Sequence, residues 1–234
     1  MAKYEPPAHI EIAALRAQQA QEVDLMAAGE GTPWEDRGTH GNVGGFFKTA
    51  GLSLFKPAKL YALLRRPSTT GDANGFLFGC GIMWSVAVLI DAIVTATVRA
   101  DDDFDPMTGL IGHAALMVAA PFILYGLVLM ATNIFSTVVE SELRKGTPRS
   151  LATNIFAYAA GPSVLAPLLL PIHPAAGGVV VLLMAIAAIV GARSRMRLSV
   201  VGGTIGVLLG TVVAVGIVVG GYFVLGWLWR NVTQ

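Results

Sequence analysis

FLFGCGIMWSVAVLIDAIVTATV, residues 76 to 98, holds one ionisable side chain, Asp91, in an otherwise apolar run. An aspartate near the middle of a membrane helix costs about 3 kcal/mol, while Leu, Ile, Val and Phe each contribute about 0.3 to 0.6 kcal/mol. The run contains eleven such residues, together worth roughly 5 kcal/mol on that scale. Insertion therefore wins, and the stretch is expected to cross a bilayer as a helix.

Four further apolar segments follow, at residues 110–135, 151–172, 175–192 and 198–229. The fourth segment is barely long enough for a hydrocarbon core of about 30 Å, and the fifth exceeds it. The fifth must tilt or begin as an interfacial stretch before Gly206. Composition agrees: 54% of the 234 residues are hydrophobic and 13% charged, against about a quarter charged in soluble domains. The expected fold is all-α, a polytopic five-span transmembrane bundle over residues 72–234. The first 40 residues carry no basic stretch followed by an apolar one, so the first span acts as its own insertion signal. The net charge of +1 gives no reason to expect nucleic acid as a partner. Cys80, the lone cysteine, lies in an apolar run and reads as a small buried hydrophobe.

Basic residues stay on the cytoplasmic side. Lys48, Lys56, Lys59, Arg65 and Arg66 precede the first span; Arg144, Lys145 and Arg149 join the second to the third; Arg193, Arg195 and Arg197 join the fourth to the fifth. The other side receives Arg99 and Arg230 with Asp101, Asp102, Asp103 and Asp105. The N-terminus is expected in the cytoplasm and the C-terminus outside. Charge does not separate a full hairpin from a re-entrant pair for segments three and four, a region broken by Pro162, Pro167, Pro171 and Pro174.

Residues 1–41 read as a flexible cytoplasmic arm, and 42–71 as two amphipathic interfacial helices. Val43, Phe46, Phe47, Ala50 and Leu54 share one helical face up to Pro57. Leu60, Tyr61, Leu63 and Leu64 repeat the theme between basic margins. Such faces suit either the headgroup layer or docking on the bundle.

Ionisable groups inside spans are functional candidates. Asp91 and His113 both lie near the outer ends of their spans, with His173 in the short outer turn, so a pair between Asp91 and His113 is expected. It would serve as an interhelical clasp, a proton or ion site, or a metal site. Asn133, Asn154 and Tyr158 are placed for hydrogen bonding between helices near the inner face. Gly202, Gly206, Gly210 and Ala214 form a small-residue stripe on the fifth segment, which either packs within the bundle or makes a homodimer seam. Aspartates 101, 103 and 105 lack the glycine and glutamate of a calcium loop and read as a solvated turn. Asn231 to Thr233 form a glycosylation sequon. No phosphate-binding loop, zinc-protease or nucleophile-elbow motif occurs, so neither catalysis nor a cofactor is expected.

PWEDR at Pro33 to Arg37, Thr49 with LFKPAKLYALL at Leu54 to Leu64, FAYAAGP at Phe156 to Pro162, and VVVLLMAIAAIVGAR ending at Arg193 resemble the Yip-type membrane family, most closely its prokaryotic branch. The family is named for proteins that bind Ypt/Rab GTPases. The resemblance implies five helices, no established catalysis, and a role in membrane traffic or shaping. The DLYGP-like motif of the eukaryotic members is missing, so Rab binding is not carried over, and no zinc ribbon precedes PWEDR. These readings converge on a scaffold of the bacterial inner membrane that binds lipids and a membrane or peripheral protein partner. Trp34, Glu35, Asp36 and Arg37, with Phe46 and Phe47 behind them, would form the docking surface. The rival is a small transporter or channel component using Asp91 and His113.

Overall fold

The computed structural model describes residues 30–64, 70–98, 106–140, 149–173, 175–196 and 198–232. Among them all regular structure is helical, and five helices are long and apolar enough to cross a membrane: Thr70–Thr97, Ile111–Val138, Ser150–Leu169, Ala176–Met196 and Val200–Ile217. The chain runs α1 (Arg37–His40), α2 (Asn42–Phe55), α3 (Pro57–Leu63), α4 (Thr70–Val98), α5 (Pro106–Val138), α6 (Arg149–Ala159), a 3-10 turn (Gly161–Leu165), α7 (Ala166–Leu169), α8 (Ala176–Met196) and α9 (Val200–Val232). Side chains such as Phe78, Ile82, Phe122, Leu182, Ile186, Leu208 and Val212 stand exposed along α4, α5, α8 and α9. An apolar belt of this extent needs lipid around it.

The third span is the axis of the bundle. Two-thirds of the residues in its apolar 18-residue stretch are buried, against a third or fewer in the other four, and its interior run from Asn154 to Ser163 is wholly buried. Small residues at 157, 159, 160 and 161 let neighbours close in on it. Around it α4 packs on α5, α5 on α9, α9 on α8, and α8 and α4 on α6, while α2 and α3 close the basic end. α6, the 3-10 turn and α7 together rise about 32 Å, and α8 returns about 31 Å. Gly177 at the head of α8 sits beside Leu170; at the other end Arg195 donates to the Leu64 carbonyl. The third segment, break included, is thus long and apolar enough to cross a membrane.

Two prolines explain two serines. Pro121 lies inside α5, and a helical proline deprives the carbonyl four residues earlier of its donor. That carbonyl is Met117, and Ser85 on α4 donates its hydroxyl to it at 2.7 Å. Gly81, one turn before Ser85, meets Pro121 so closely that a Cβ would lie 2.5 Å from the proline Cα. Pro162 likewise leaves the Tyr158 carbonyl, and Ser53 on α2 donates to it at 2.8 Å. Gly161 makes that approach feasible, since a Cβ there would sit 2.5 Å from the Ser53 Cβ. Tyr61 on α3 adds a third bond, to the Ile155 carbonyl at 3.0 Å, and burial pushes its phenol up so that it stays a neutral donor.

The small-residue stripe packs within the bundle. Added Cβ atoms at Gly206 and Gly210 would strike Val139 and the Ala131 carbonyl of the α5 side at 2.8 and 2.7 Å, and Ala214 is buried. Gly202 does a different job: its N–H donates to Ser199 Oγ in the capped first turn of α9. α9 continues unbroken through Gly206, so its excess length is accommodated without an interfacial break.

Candidate functional site

At the basic end, residues 30–41 are pinned to the bundle, although the sequence places them in a flexible arm. Thr32 and Glu35 satisfy each other's backbone, with Thr32 N–H donating to Glu35 Oε2 at 2.7 Å and Glu35 N–H to Thr32 Oγ1 at 3.2 Å, the reciprocal arrangement of a capping box. Trp34 N–H donates to Thr49 Oγ1 at 2.9 Å, and its indole N–H to the Asp72 carbonyl at 2.7 Å. Arg37 lies 4.7 Å over the Trp34 ring and pairs with the Asp72 carboxylate. Trp34, Phe46, Phe76 and Tyr158 form a chain of ring contacts 5.2 to 6.2 Å apart. Gly45 and Gly79 line this junction, where the Pro33 carbonyl and the Phe46 ring leave no room for a side chain. Gly41, at φ +69°, ends α1 and redirects the chain into α2.

This corrects the expected docking surface. Trp34 is half-buried and Phe46 buried, because their rings fill the gap between α2 and α4. Glu35, Asp36 and Arg37 are partly covered. The face that α2 buries is its small one, Gly45, Thr49, Ala50 and Ser53 with Phe46, which packs on the 3-10 turn. Val43, Phe47 and Phe55 remain 71%, 51% and 78% exposed, next to the exposed Lys48, Lys56 and Lys59.

Asp91 and His113 meet as expected, with Oδ2 and Nε2 3.6 Å apart and both side chains 25% exposed. His173 does not join them; it is exposed in the turn before α8 and accepts the Ala175 N–H on Nδ1. Among the described residues no three His, Cys, Asp or Glu side chains converge as a metal site would require. Asn154 is fully buried and Tyr158 lies against Phe76, whereas Asn133 is exposed on α5 and so does not share their surroundings. The acidic turn at 101–105, the end of the sequon and residues 1–29 lie outside the described residues.

The pair lies one turn beyond an apolar cleft of about 280 Å³. Val88 and Leu116 line the cleft, three residues from Asp91 and His113 on the same helix faces. Trp84, Phe156, Met184 and Ala214 bring α4, α6, α8 and α9 to its walls. Beyond the break at Gly161–Pro162 the chain packs as α7 against α4 and α8, while Phe156 and Ala159 before it face the cleft. Nothing in the sequence marks the cleft, since apolar residues facing a gap and apolar residues facing a neighbour look alike there. Comparisons of the chain with protein-family models, with curated proteins and with solved structures find no match.

Proposed function

We propose that this chain is a non-enzymatic, Yip-type multi-pass protein of the bacterial inner membrane, N-terminus in the cytoplasm and C-terminus outside, that organises or shapes the bilayer around it. The observation that carries the reading is α2. Its small face is clamped to the bundle, while Val43, Phe47 and Phe55 are held outward beside three lysines. A rigid helix with this face embeds in the headgroup layer and is attracted by anionic lipid. Lipids are accordingly its first partners, and any protein partner would be recruited on this platform.

The test reconstitutes the full chain in phosphatidylcholine–phosphatidylglycerol vesicles and images them by electron cryomicroscopy. Wild type should produce narrower or tubulated vesicles, and the Phe47→Glu/Phe55→Glu variant should return them to the protein-free size. Equal remodelling by both, or by neither, refutes the role. The contact between Asp91 and His113 favours a second reading, a small transporter component, which requires solute or proton flux in proteoliposomes that disappears in Asp91→Asn.

A further inference from the structure

The cleft is the feature that neither membrane shaping nor an interhelical clasp uses. Protein interiors are packed like organic crystals, and voids beyond the size of a water molecule are few. This one, about 280 Å³, is roughly twice the size of engineered apolar cavities that stay dry and take up benzene. Water would find almost no partner in it: the lining is nearly all aliphatic and aromatic carbon, and the Trp84 indole N–H is already donated to Ser163 Oγ at 3.0 Å. The walls are helices whose outward faces carry the exposed apolar belt, so the medium at that depth is hydrocarbon. The cleft is half-open, and α5 lines it from Leu116 to Ala131, a rise of about 22 Å. At one end stands the Asp91–His113 pair, a polar boundary to an otherwise greasy slot.

We propose that this cleft is a lipid-binding site that takes one acyl chain of a bilayer phospholipid, with the chain's carboxyl-proximal part toward Asp91 and His113. An elongated, flexible chain fits the shape, and its terminal methylenes lie beside Phe156 and Ala159. Dispersion contacts with Leu127, Met184 and Ala188 hold it. The site differs from the annular lipid surface because α4, α5, α6, α8 and α9 all contribute to its walls.

The test places the full chain in phosphatidylcholine nanodiscs containing a phosphatidylcholine with a photoreactive diazirine on one acyl chain, and maps adducts by mass spectrometry. Adducts on Leu127, Met184 or Ala188 are expected alongside those on the lipid-facing Val118 and Val212. Ala185→Phe, which fills the cleft, should lower the cleft adducts roughly tenfold and leave Val118 and Val212 labelled as before. Ala188→Val, a smaller filling, gives a graded loss should the phenylalanine variant not fold. In parallel, a diazirine-bearing free fatty acid replaces the phospholipid probe. Cleft adducts absent from the wild type, unmoved in a folded filling variant, or formed by the free fatty acid alone would each overturn the proposal.

Discussion

Removing the Ser85 hydroxyl should cost stability only while Pro121 is present. In Ser85→Ala the Met117 carbonyl loses the donor 2.7 Å away and has no helical N–H to replace it. A buried carbonyl left unsatisfied costs about 1–3 kcal/mol, but hydrogen bonds between membrane helices average nearer 0.6 kcal/mol and reach about 1.7. Partial exposure of Ser85 places the expected loss at about 1 kcal/mol. In Pro121→Ala the restored N–H bonds the Met117 carbonyl within α5, and the alanine keeps the Cβ that packs near Gly81. Ser85→Ala on that background should then cost about 0.3 kcal/mol or less, giving a coupling near 1 kcal/mol. Equilibrium unfolding of all four proteins in mixed detergent micelles, followed by tryptophan fluorescence or circular dichroism, measures the cycle. Equal costs of Ser85→Ala on the two backgrounds would refute the idea that the serine exists to serve the proline.

Other expectations are briefer. Ser53→Ala should destabilise by about 1–2 kcal/mol in the same assay, since the Tyr158 carbonyl is fully buried behind Pro162. Gly210→Val should cost about 1–3 kcal/mol, because its Cβ would stand 2.7 Å from the Ala131 carbonyl; a melting temperature equal to wild type contradicts the α5–α9 seam. Trp34→Ala should lose about 3 kcal/mol and open residues 30–41 to protease while α4 to α9 stay protected. Asp91→Asn should lower stability by about 0.5–1.7 kcal/mol, as a clasp would, and an unchanged thermal midpoint in detergent removes that role.

The spans were legible because hydropathy is a local property: the runs starting at Phe76 and Leu110 needed no partner to be recognised. The Asp91–His113 contact was legible for a similar reason, each residue lying in the outer part of its span. The proline–serine bonds were not, since Ser53 and Tyr158 are 105 positions apart and nothing in either segment names the other. On α2 the 3.6-residue period marked Val43, Phe46, Phe47, Ala50 and Leu54 as one face, of which only Phe46 and Ala50 are buried. Small residues won the contact with Gly161, because close approach to the 3-10 turn needed thin side chains, and bulky ones were left outside. The central place of the third span had a signal in its mean hydropathy of 1.2, against 2.1 or more for the others: a helix surrounded by protein has less need to be greasy.

That third span bears on how the polypeptide is made. Its weak hydropathy and proline-bared carbonyl leave it poorly suited to enter lipid alone, yet Ser53, which supplies the missing donor, lies more than a hundred residues upstream. Synthesis from N- to C-terminus delivers the donor, α4 and α5 before Pro162 leaves the ribosome, so the axis can be received by a half-built wall instead of bare hydrocarbon. A circular permutant that made the third span first would lose that shelter during biogenesis while keeping every contact of the finished fold.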